Sequence, residues 1–532
     1  MKILFSPDVE LINSTQTQDW GVDEIIIPSN FSNYTLPDVD DDLFLFVPTI
    51  INQDFAIEYD GVEFALRLYF LCLRRKKINI RIVLLGVETL QAFLLNFYYP
   101  NIMKCPGFDY ILFNATEVKT YNKTLDEIDF DSSIDSINSL GIVLPKSYKS
   151  QHSFINEWSV YKWSEYMGFD NSSIIDALKN NLYFDYLCTL LKNSNEESVS
   201  NEILSDINNL EGRVLLIDDN QYWHIFFNDF FKNTDNSKFQ FKPIGDEFKK
   251  LNADTIVEQC MKEIDAFEPD VILLDFRLNE DFDFSVKNFN NISGIKVLRE
   301  LKGKKKLNPR KRDEFESYCR HFGSKVMMFT ATGNLDYIFA LQEFGADAFV
   351  FKERPENYIG KSSTKKIIDN FLSNLKKMLN CAIASKRVNG FLCNWFTYAY
   401  SSNPNLDDTL STRLKHVVEV VRSLMQGNFL SLPKLKLIYL ECFSILETFN
   451  TTEEDLYPFI SNRFAPSLGL DPNKRRWWQE LNNLRNSLAH GDDKVKISNQ
   501  EMDVTVELIA ENLILLCDFI NSLLKLYSNR IN

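Results

Sequence analysis

The fold of this chain is decided by residues 212–223, which read GRVLLIDDNQYW. An apolar run with the length of a buried strand ends there in two adjacent acids, Asp218 and Asp219. A second run, DVILLDFRL at residues 270–278, leads from four apolar residues to another acid, Asp275. Short continuous apolar runs predict strands that are covered on both faces. Acids at the ends of such strands predict a polar edge on an otherwise apolar sheet.

Strand-like runs recur between residues 212 and 353, separated by longer amphipathic stretches. They read RVLLID, DVILLD, KVMMFT and DAFVFK. This alternation predicts parallel strands joined by crossover helices, which is the pattern of a doubly wound parallel α/β sheet.

The first part of the chain contains an internal repeat of the same pattern. DDLFLFVPT at residues 41–49 aligns with PDVILLDFR, IRIVLLGVET with SKVMMFTATG, and GFDYILFN with GADAFVFK. A second α/β domain of the same kind is therefore expected at residues 1–116. Its chemically important positions have changed: Ser6 and Pro7 stand at the acid pair, Val47 at Asp275, Gly86 at Thr330, and Asn114 at Lys352.

The rest of the chain has a helical pattern. Residues 117–210 contain polar helical segments and the stretch KNSNEESVSNE, which is typical of a linker. Apolar residues recur at helical spacing from about residue 360, and a last helix is predicted over residues 502–526. The predicted domains are a degenerate α/β domain at 1–116, a helical linker at 117–210, an α/β domain with an insertion at 211–358, and an all-helical domain at 359–532.

Composition limits the possible function classes. The chain has 532 residues, a net charge of −16, 45% hydrophobic residues and 25% charged residues. This balance predicts several globular domains and argues against a general nucleic-acid coat, which needs clustered cations. The nine cysteines form no C-x-x-C pair, so neither a zinc site nor a disulfide framework is indicated. Since no long apolar segment is present either, we expect a cytoplasmic protein without membrane contact.

Five polar residues end the predicted strands of the second α/β domain: Asp218, Asp219, Asp275, Thr330 and Lys352. Because ligands of open parallel sheets bind beyond the carboxyl ends of the strands, we expect these side chains to meet. Three carboxylates together would repel one another unless a cation lies between them, and Mg²⁺ suits an all-oxygen site. A hydroxyl and an ammonium beside the metal would hold an anion. This set therefore predicts a site where one aspartate accepts a phosphoryl group.

On these residues, the region from 212 to about 355 resembles a response-regulator receiver domain, which has a flavodoxin-like fold. The resemblance implies that Asp275 is phosphorylated, that Asp218 and Asp219 hold Mg²⁺ together with Asp275, and that Thr330 and Lys352 contact the phosphoryl group. It also implies a histidine kinase or another phosphodonor as partner. The repeat at residues 1–116 would then be a degenerate pseudo-receiver.

The chain departs from this family in two places. Lys352 is followed by Glu353, where the family usually has proline. The segment between Asp275 and Thr330 carries an insertion that includes KGKKKLNPRKR, residues 302–312. A solvated surface insertion is the simpler interpretation of this basic run, and contact with RNA or a partner is the alternative.

The helical part contains a second set of polar residues, in KRRWWQELNNLRNSLAHGDD. Trp477, Leu481, Leu484 and Leu488 form an apolar stripe, and Gly491 is expected to end the helix. Alongside the stripe lie Arg485, Asn486 and, in the last turn, His490. An arginine, an amide and a histidine could cleave RNA without a metal. His490 would exchange protons with the 2′-hydroxyl or the leaving 5′-oxygen, while Arg485 stabilises the phosphate charge.

RNSLAH resembles the R-N-x-x-x-H motif of HEPN domains, helical bundles found in many ribonucleases of toxin and anti-phage systems. The resemblance covers residues from about 410 to the end. It implies a homodimer in which two copies of Arg485, Asn486 and His490 line one groove. The structural alternative is that Arg485 pairs with an acid such as Glu480 or Asp492 while His490 binds carbonyls of its own helix.

Two functions remain open from the sequence. In the first, the receiver controls a metal-independent endoribonuclease, as in a toxin or anti-phage defence protein. In the second, the protein is a non-enzymatic signalling or scaffold response regulator whose helical domain dimerises or binds a partner protein.

Overall fold

The structure is a computed structural model in which 20 stretches of the chain are described. They are residues 2–5, 20–26, 43–51, 59–74, 79–123, 126–127, 130–144, 151–178, 181–191, 201–235, 237–279, 283, 288–302, 323–331, 335–355, 360–400, 408–425, 432–449, 472–497 and 500–529. Residues 192–200 of the predicted linker and residues 303–322 of the insertion lie outside the described residues.

The chain divides into two compact units. The first consists of Met1–Ser198 and Glu353–Thr364, and the second of Val199–Lys352 and Lys365–Asn532. The four domain bounds drawn from the sequence stay a prediction.

The first unit contains a parallel sheet flanked by helices. Its strands are β1 (Lys2–Phe5), β2 (Glu24–Ile26), β3 (Leu43–Pro48), β4 (Asn79–Gly86), β5 (Phe108–Leu112) and the short β6 (Asp126–Glu127). The strand order is β2-β1-β3-β4-β5, and β6 pairs antiparallel with β4. Every residue of β4 after Asn79 is buried, as expected for a central strand covered on both faces.

The helices of the first unit follow the strands and then form a helical segment. They are α1 (Asp60–Arg74), α2 (Leu90–Asn96), α3 (Ala115–Thr120), α4 (Phe130–Ser139), α5 (Gln151–Met167), α6 (Ser172–Leu178) and α7 (Leu182–Leu191). Asp185 of α7 forms ion pairs with Arg67 and Arg74 of α1, which joins the helical segment to the α/β part.

A short segment from much later in the chain completes the first unit. The backbone N–H of Glu353 donates to Ser159 Oγ at 2.7 Å, and its carboxylate lies 3.7 Å from Lys162 Nζ. Thr364 Oγ1 donates to the other carboxylate oxygen at 2.8 Å. Glu353 and Lys162 are each 3% exposed, so this acid is a buried structural residue.

The second unit begins with helix α8 (Asn201–Asn208), followed by a five-stranded parallel sheet. Its strands are β7 (Gly212–Ile217), β8 (Phe239–Ile244), β9 (Val271–Leu274), β10 (Lys325–Thr330) and β11 (Ala348–Phe351). Their order is β11-β10-β9-β7-β8, so the second strand in the chain lies outside the first. This 2-1-3-4-5 order is that of the flavodoxin-like sheets. The first unit has the same order, and the predicted pair of doubly wound parallel sheets is confirmed.

Helices cover both faces of the second sheet. They are α9 (Gln221–Phe230), α10 (Ala253–Phe267), α11 (Ser293–Lys302) and α12 (Leu335–Glu343). Asn220 caps α9 by accepting from Tyr222 N–H, and Asn252 caps α10 by accepting from Thr255 N–H.

A helical region follows the second sheet, as the sequence predicted. Its helices are α13 (Gly360–Tyr400), α14 (Asp408–Met425), α15 (Leu432–Phe449), α16 (Pro472–His490) and α17 (Val506–Asn529). They share a core that includes Trp395, Val417, Tyr439, Leu484 and Ile520. The Tyr439 hydroxyl donates to the Leu481 carbonyl at 2.9 Å, which ties α15 to α16.

Two details of the helical prediction were wrong. A small antiparallel hairpin, β12 (Lys494–Ile497) with β13 (Gln500–Asp503), follows α16. Its first strand reads KVKI, a period-2 pattern too short to stand out beside long helices. Met502 therefore lies in β13, and the last helix begins at Val506 instead of residue 502. In the described part of the chain, no helix is long and apolar enough to cross a membrane.

The close approach of α11 to β9 gives a first prediction. A Cβ on Gly294 would lie 2.3 Å from the Asp275 carbonyl oxygen, so Gly294→Ala should lower the free energy of unfolding by about 1–3 kcal/mol. Gly390→Ala is the control, because that helical position is open and alanine there should stabilise the protein by about 0.5–1 kcal/mol. Urea unfolding measures both. Equal shifts of stability in the same direction would contradict the close approach of Gly294 to the Asp275 carbonyl.

Candidate functional site

The acid pair after β7 is held by backbone and side-chain hydrogen bonds. The N–H of Asp218 donates to the Ile244 carbonyl of β8 at 3.1 Å. The N–H of Asn220 donates to Asp218 Oδ1 at 2.9 Å. Both Asp218 and its neighbour Asp219 are buried. The start of α9 therefore fixes Asp218 in one orientation beyond the end of its strand.

Asp275 follows the adjacent strand β9 and is fully buried. Its N–H donates to the Ile217 carbonyl at 2.9 Å, which places it beside the acid pair. One carboxylate oxygen from each of Asp218, Asp219 and Asp275 lies within 4.8 Å of the others. The predicted convergence of the three acids is present in the structure.

Lys352 lies among these acids. Its Nζ is 2.8 Å from Asp218 Oδ2 and 3.3 Å from Asp275 Oδ1. The ammonium also lies 5.0 Å from the centre of the Phe329 ring and 5.7 Å from that of Trp223, distances at which an aromatic face attracts a cation. The lysine is thus held by both carboxylates and aromatic rings.

Thr330, the last residue of β10, is buried at the same edge of the sheet. Its carbonyl accepts the N–H of Lys352 at 2.8 Å, which sets the hydroxyl-bearing residue beside the lysine backbone. All five residues singled out from the strand ends therefore lie at one edge of the sheet. Their chemical roles stay predictions.

The charges of this site are unbalanced, since three acids surround one ammonium. Burial, followed by the neighbouring charges of Asp218 and Asp275, raises the pKa of Asp219 to about 8. Burial also raises the pKa of Asp275. Burial alone would lower the pKa of Lys352, but the surrounding carboxylates outweigh it, and the pKa of the lysine is raised. Without a further cation, Asp219 therefore holds its proton at neutral pH.

The residues present fit a divalent cation such as Mg²⁺. Neither carboxylate oxygen of Asp275 completes a hydrogen bond of good geometry among the described residues, although both are fully buried. A buried acid in this condition is costly unless it is protonated or binds a cation. The donor set consists of carboxylate oxygens, which is the preference of Mg²⁺ and Ca²⁺ over softer metals.

The corresponding edge of the first sheet has different contacts. The Tyr110 hydroxyl lies 1.6 Å from where a Cβ on Gly86 would be, and it donates to the Glu88 carbonyl at 2.7 Å. Asn114 caps α3 by accepting from the Glu117 N–H at 2.8 Å. An aromatic side chain and a helix cap thus occupy two of the repeated positions. Ser6 and Pro7 lie outside the described residues.

The second predicted set lies on α16. The stripe residues Leu481, Leu484 and Leu488 are buried, whereas the side chain of Trp477 lies outside the described part. Gly491 ends the helix with a positive φ of 79°. The predicted helix and its end are therefore present.

Arg485 and Asn486 contact each other on α16. Arg485 Nη1 donates to Asn486 Oδ1 at 3.1 Å, and Nη2 lies 2.7 Å from Glu447 Oε1 of α15. The arginine thus pairs with an acid from the neighbouring helix, rather than with Glu480 or Asp492. His490 is exposed and ends the helix about 1.4 turns beyond Arg485.

Comparisons with known proteins add little to this geometry. No protein-family model matches the chain, and neither does any curated protein. Among solved structures, the chain is similar to a signal receiver domain from Vibrio parahaemolyticus, with 19% identity and a TM-score of 0.19. The match covers 31% of this chain and 94% of that one. Support for a function therefore comes from the strand order and the five polar residues.

Proposed function

We propose that the second α/β domain is a phosphorylation-controlled receiver of a response regulator. The observation that carries this proposal is the meeting of three acids, Thr330 and Lys352 at one edge of a 2-1-3-4-5 sheet. A carboxylate oxygen of Asp275 attacks the phosphorus of a donor, such as the phosphohistidine of a kinase. The bond from phosphorus to the donor breaks, and the donor leaves with that electron pair and takes up a proton.

The chain's own residues prepare this step. Asp275 is the acceptor, while Asp218 and Asp219 complete the acidic site. Mg²⁺, when bound, would offset the negative charge of the acids and of the incoming phosphoryl group. Lys352 is already within 3.3 Å of Asp275, so a small movement of its ammonium would let it contact a phosphoryl oxygen. Thr330 supplies a hydroxyl at the same edge.

Phosphoryl uptake is tested directly with a small-molecule donor. Purified protein incubated with acetyl phosphate and MgCl₂ should gain the mass of one phosphoryl group, and Asp275→Asn should gain none. Asp283→Asn is the matched control. Asp283 is also a buried acid, but it accepts a hydrogen bond from the Ser293 N–H and lies outside the acid cluster. If the mass gain persists in Asp275→Asn, then Asp275 is not the acceptor.

For the helical region, we propose a metal-independent endoribonuclease that works as a homodimer. The contact between Arg485 and Asn486 and the exposure of His490 at the helix end favour this output. His490 would transfer a proton at the 2′-hydroxyl or the leaving 5′-oxygen, and Arg485 would stabilise the phosphate. A role in toxin or anti-phage systems would follow from such an activity.

The ribonuclease proposal predicts that His490→Ala abolishes RNA cleavage in the presence of EDTA, a loss of at least about 100-fold. His416→Ala provides the control, since His416 is also an exposed histidine of the helical region. Fluorescently labelled RNA monitors cleavage, and light scattering measures the dimer. Equal cleavage by the wild type and His490→Ala would remove the enzymatic proposal.

A non-enzymatic signalling or scaffold regulator is the second candidate. The ion pair between Arg485 and Glu447, at 2.7 Å, favours it because a structural arginine would make this contact without any catalytic role. In that case the helical region dimerises or binds a partner protein, and the response to phosphorylation is a change of association.

A further inference from the structure

His224 of α9 links the loop of the acid pair to a neighbouring loop. Its Nε2 lies 2.7 Å from the backbone carbonyl oxygen of Asp218, to which it donates. Its Nδ1 lies 2.9 Å from Asp246 Oδ1. The imidazole ring is buried, whereas the Asp246 side chain is 67% exposed. The histidine therefore links a buried backbone carbonyl to a surface carboxylate, a contact that was not predicted from the sequence.

The loop after β8 packs closely against the Asp218 carbonyl. A Cβ on Gly245 of this loop would lie 2.0 Å from the carbonyl oxygen. A buried carbonyl without a donor costs about 1–3 kcal/mol. If the histidine donor is lost, the peptide between Asp218 and Asp219 is expected to rotate to find another one. Such a rotation would move both carboxylates, because the two residues share that peptide.

We propose that His224 is a positioning residue that holds the Asp218–Asp219 peptide so that both carboxylates face Asp275 around a divalent cation. This inference rests on the proposed receiver function. It adds a residue that touches neither the cation nor the phosphoryl group. Residues that orient metal ligands through hydrogen bonds commonly change metal affinity by about 10–100-fold when they are replaced.

Two substitutions at residue 224 separate positioning from simple packing. His224→Met keeps a side chain of similar length and removes the N–H donor. His224→Gln keeps an N–H donor at about the place of Nε2. Isothermal titration with MgCl₂ at one fixed pH should give a dissociation constant about 10-fold or more higher for His224→Met. The value for His224→Gln should stay within about 3-fold of the wild type.

Melting temperatures in EDTA complete the test. If His224→Met and His224→Gln bind Mg²⁺ as tightly as the wild type, the proposal is overturned, and a lower melting temperature in EDTA would then show a packing role. If His224→Met does not fold, the test rests on His224→Gln. A Mg²⁺ dissociation constant of His224→Gln within about 3-fold of the wild-type value supports the donor role. A value at least 10-fold higher than that of the wild type overturns it. A wild-type protein that binds no Mg²⁺ would overturn the proposed receiver function itself, which is a distinct result.

Discussion

Lys352→Met is expected to lower the free energy of unfolding of the metal-free protein by about 3–5 kcal/mol at pH 8. The Lys352 ammonium is fully buried and lies within 3.3 Å of two carboxylates, so its removal leaves buried negative charge without a partner. The loss should be smaller near pH 5.5, because protonation of Asp219, whose pKa is raised to about 8, relieves part of the repulsion. Urea unfolding in EDTA at both pH values measures this difference.

Lys386→Met is the matched control for this experiment. Lys386 Nζ lies 2.7 Å from Asp270 Oδ1, but its side chain is 29% exposed. A partly exposed pair contributes about 1 kcal/mol or less, and its loss should depend little on pH between 5.5 and 8. Similar losses of the free energy of unfolding for the two variants would show that burial in the acid cluster does not increase the contribution of Lys352 to stability.

A second large effect is expected from pH and Mg²⁺ acting on the same site. In EDTA, the melting temperature should fall as the pH rises from about 5 to about 8. The reason is the pKa of Asp219, which is raised from 3.8 to about 8 in the folded protein. A proton bound more tightly in the folded than in the unfolded chain stabilises the fold at low pH. That stabilisation is lost as the pH passes through the raised pKa.

Mg²⁺ should reverse this loss. At a free concentration 100 times its dissociation constant, the cation adds about 2.7 kcal/mol of stability. Because the bound cation displaces protons from the acids, the gain at a fixed Mg²⁺ concentration should be larger at pH 8 than at pH 5.5. Asp219→Asn should flatten the pH dependence in EDTA and reduce the gain from Mg²⁺. An equal gain at both pH values would contradict the raised pKa of Asp219.

The part of the fold that the sequence predicted is the part built from continuous apolar runs. β7, β9 and β10 carry such runs, and they are followed or ended by Asp218, Asp275 and Thr330. That these residues lie at one edge of the sheet could therefore be predicted without knowing any contact between them. In a parallel sheet this outcome follows from strand direction alone. The internal repeat was visible for the same reason, since both sheets have apolar strands in the same order.

What the sequence could not predict depends on contacts between distant residues. The placement of Lys352 near the acids was predicted, but its direct ion pair with Asp218, 134 residues away, is a property of the folded sheet. The role of His224 depends on a backbone carbonyl, which no residue pattern reveals. Glu353 looked like a departure from the receiver pattern, and its partners Ser159 and Lys162 lie in another domain of the sequence. The hairpin after α16 was missed because a four-residue alternating pattern is too short to stand out beside long helices.

The buried segment around Glu353 has a consequence for synthesis on the ribosome. N-terminal domains generally fold first as the chain emerges, at roughly 5–20 residues per second. Here the first unit needs residues up to Thr364, although its main segment ends at Ser198. Its last pieces therefore leave the ribosome about 10–30 s after the main segment, by which time the whole second sheet has been made. The second sheet is thus synthesised before the first unit is complete, and until then Lys162 lacks its ion pair with Glu353.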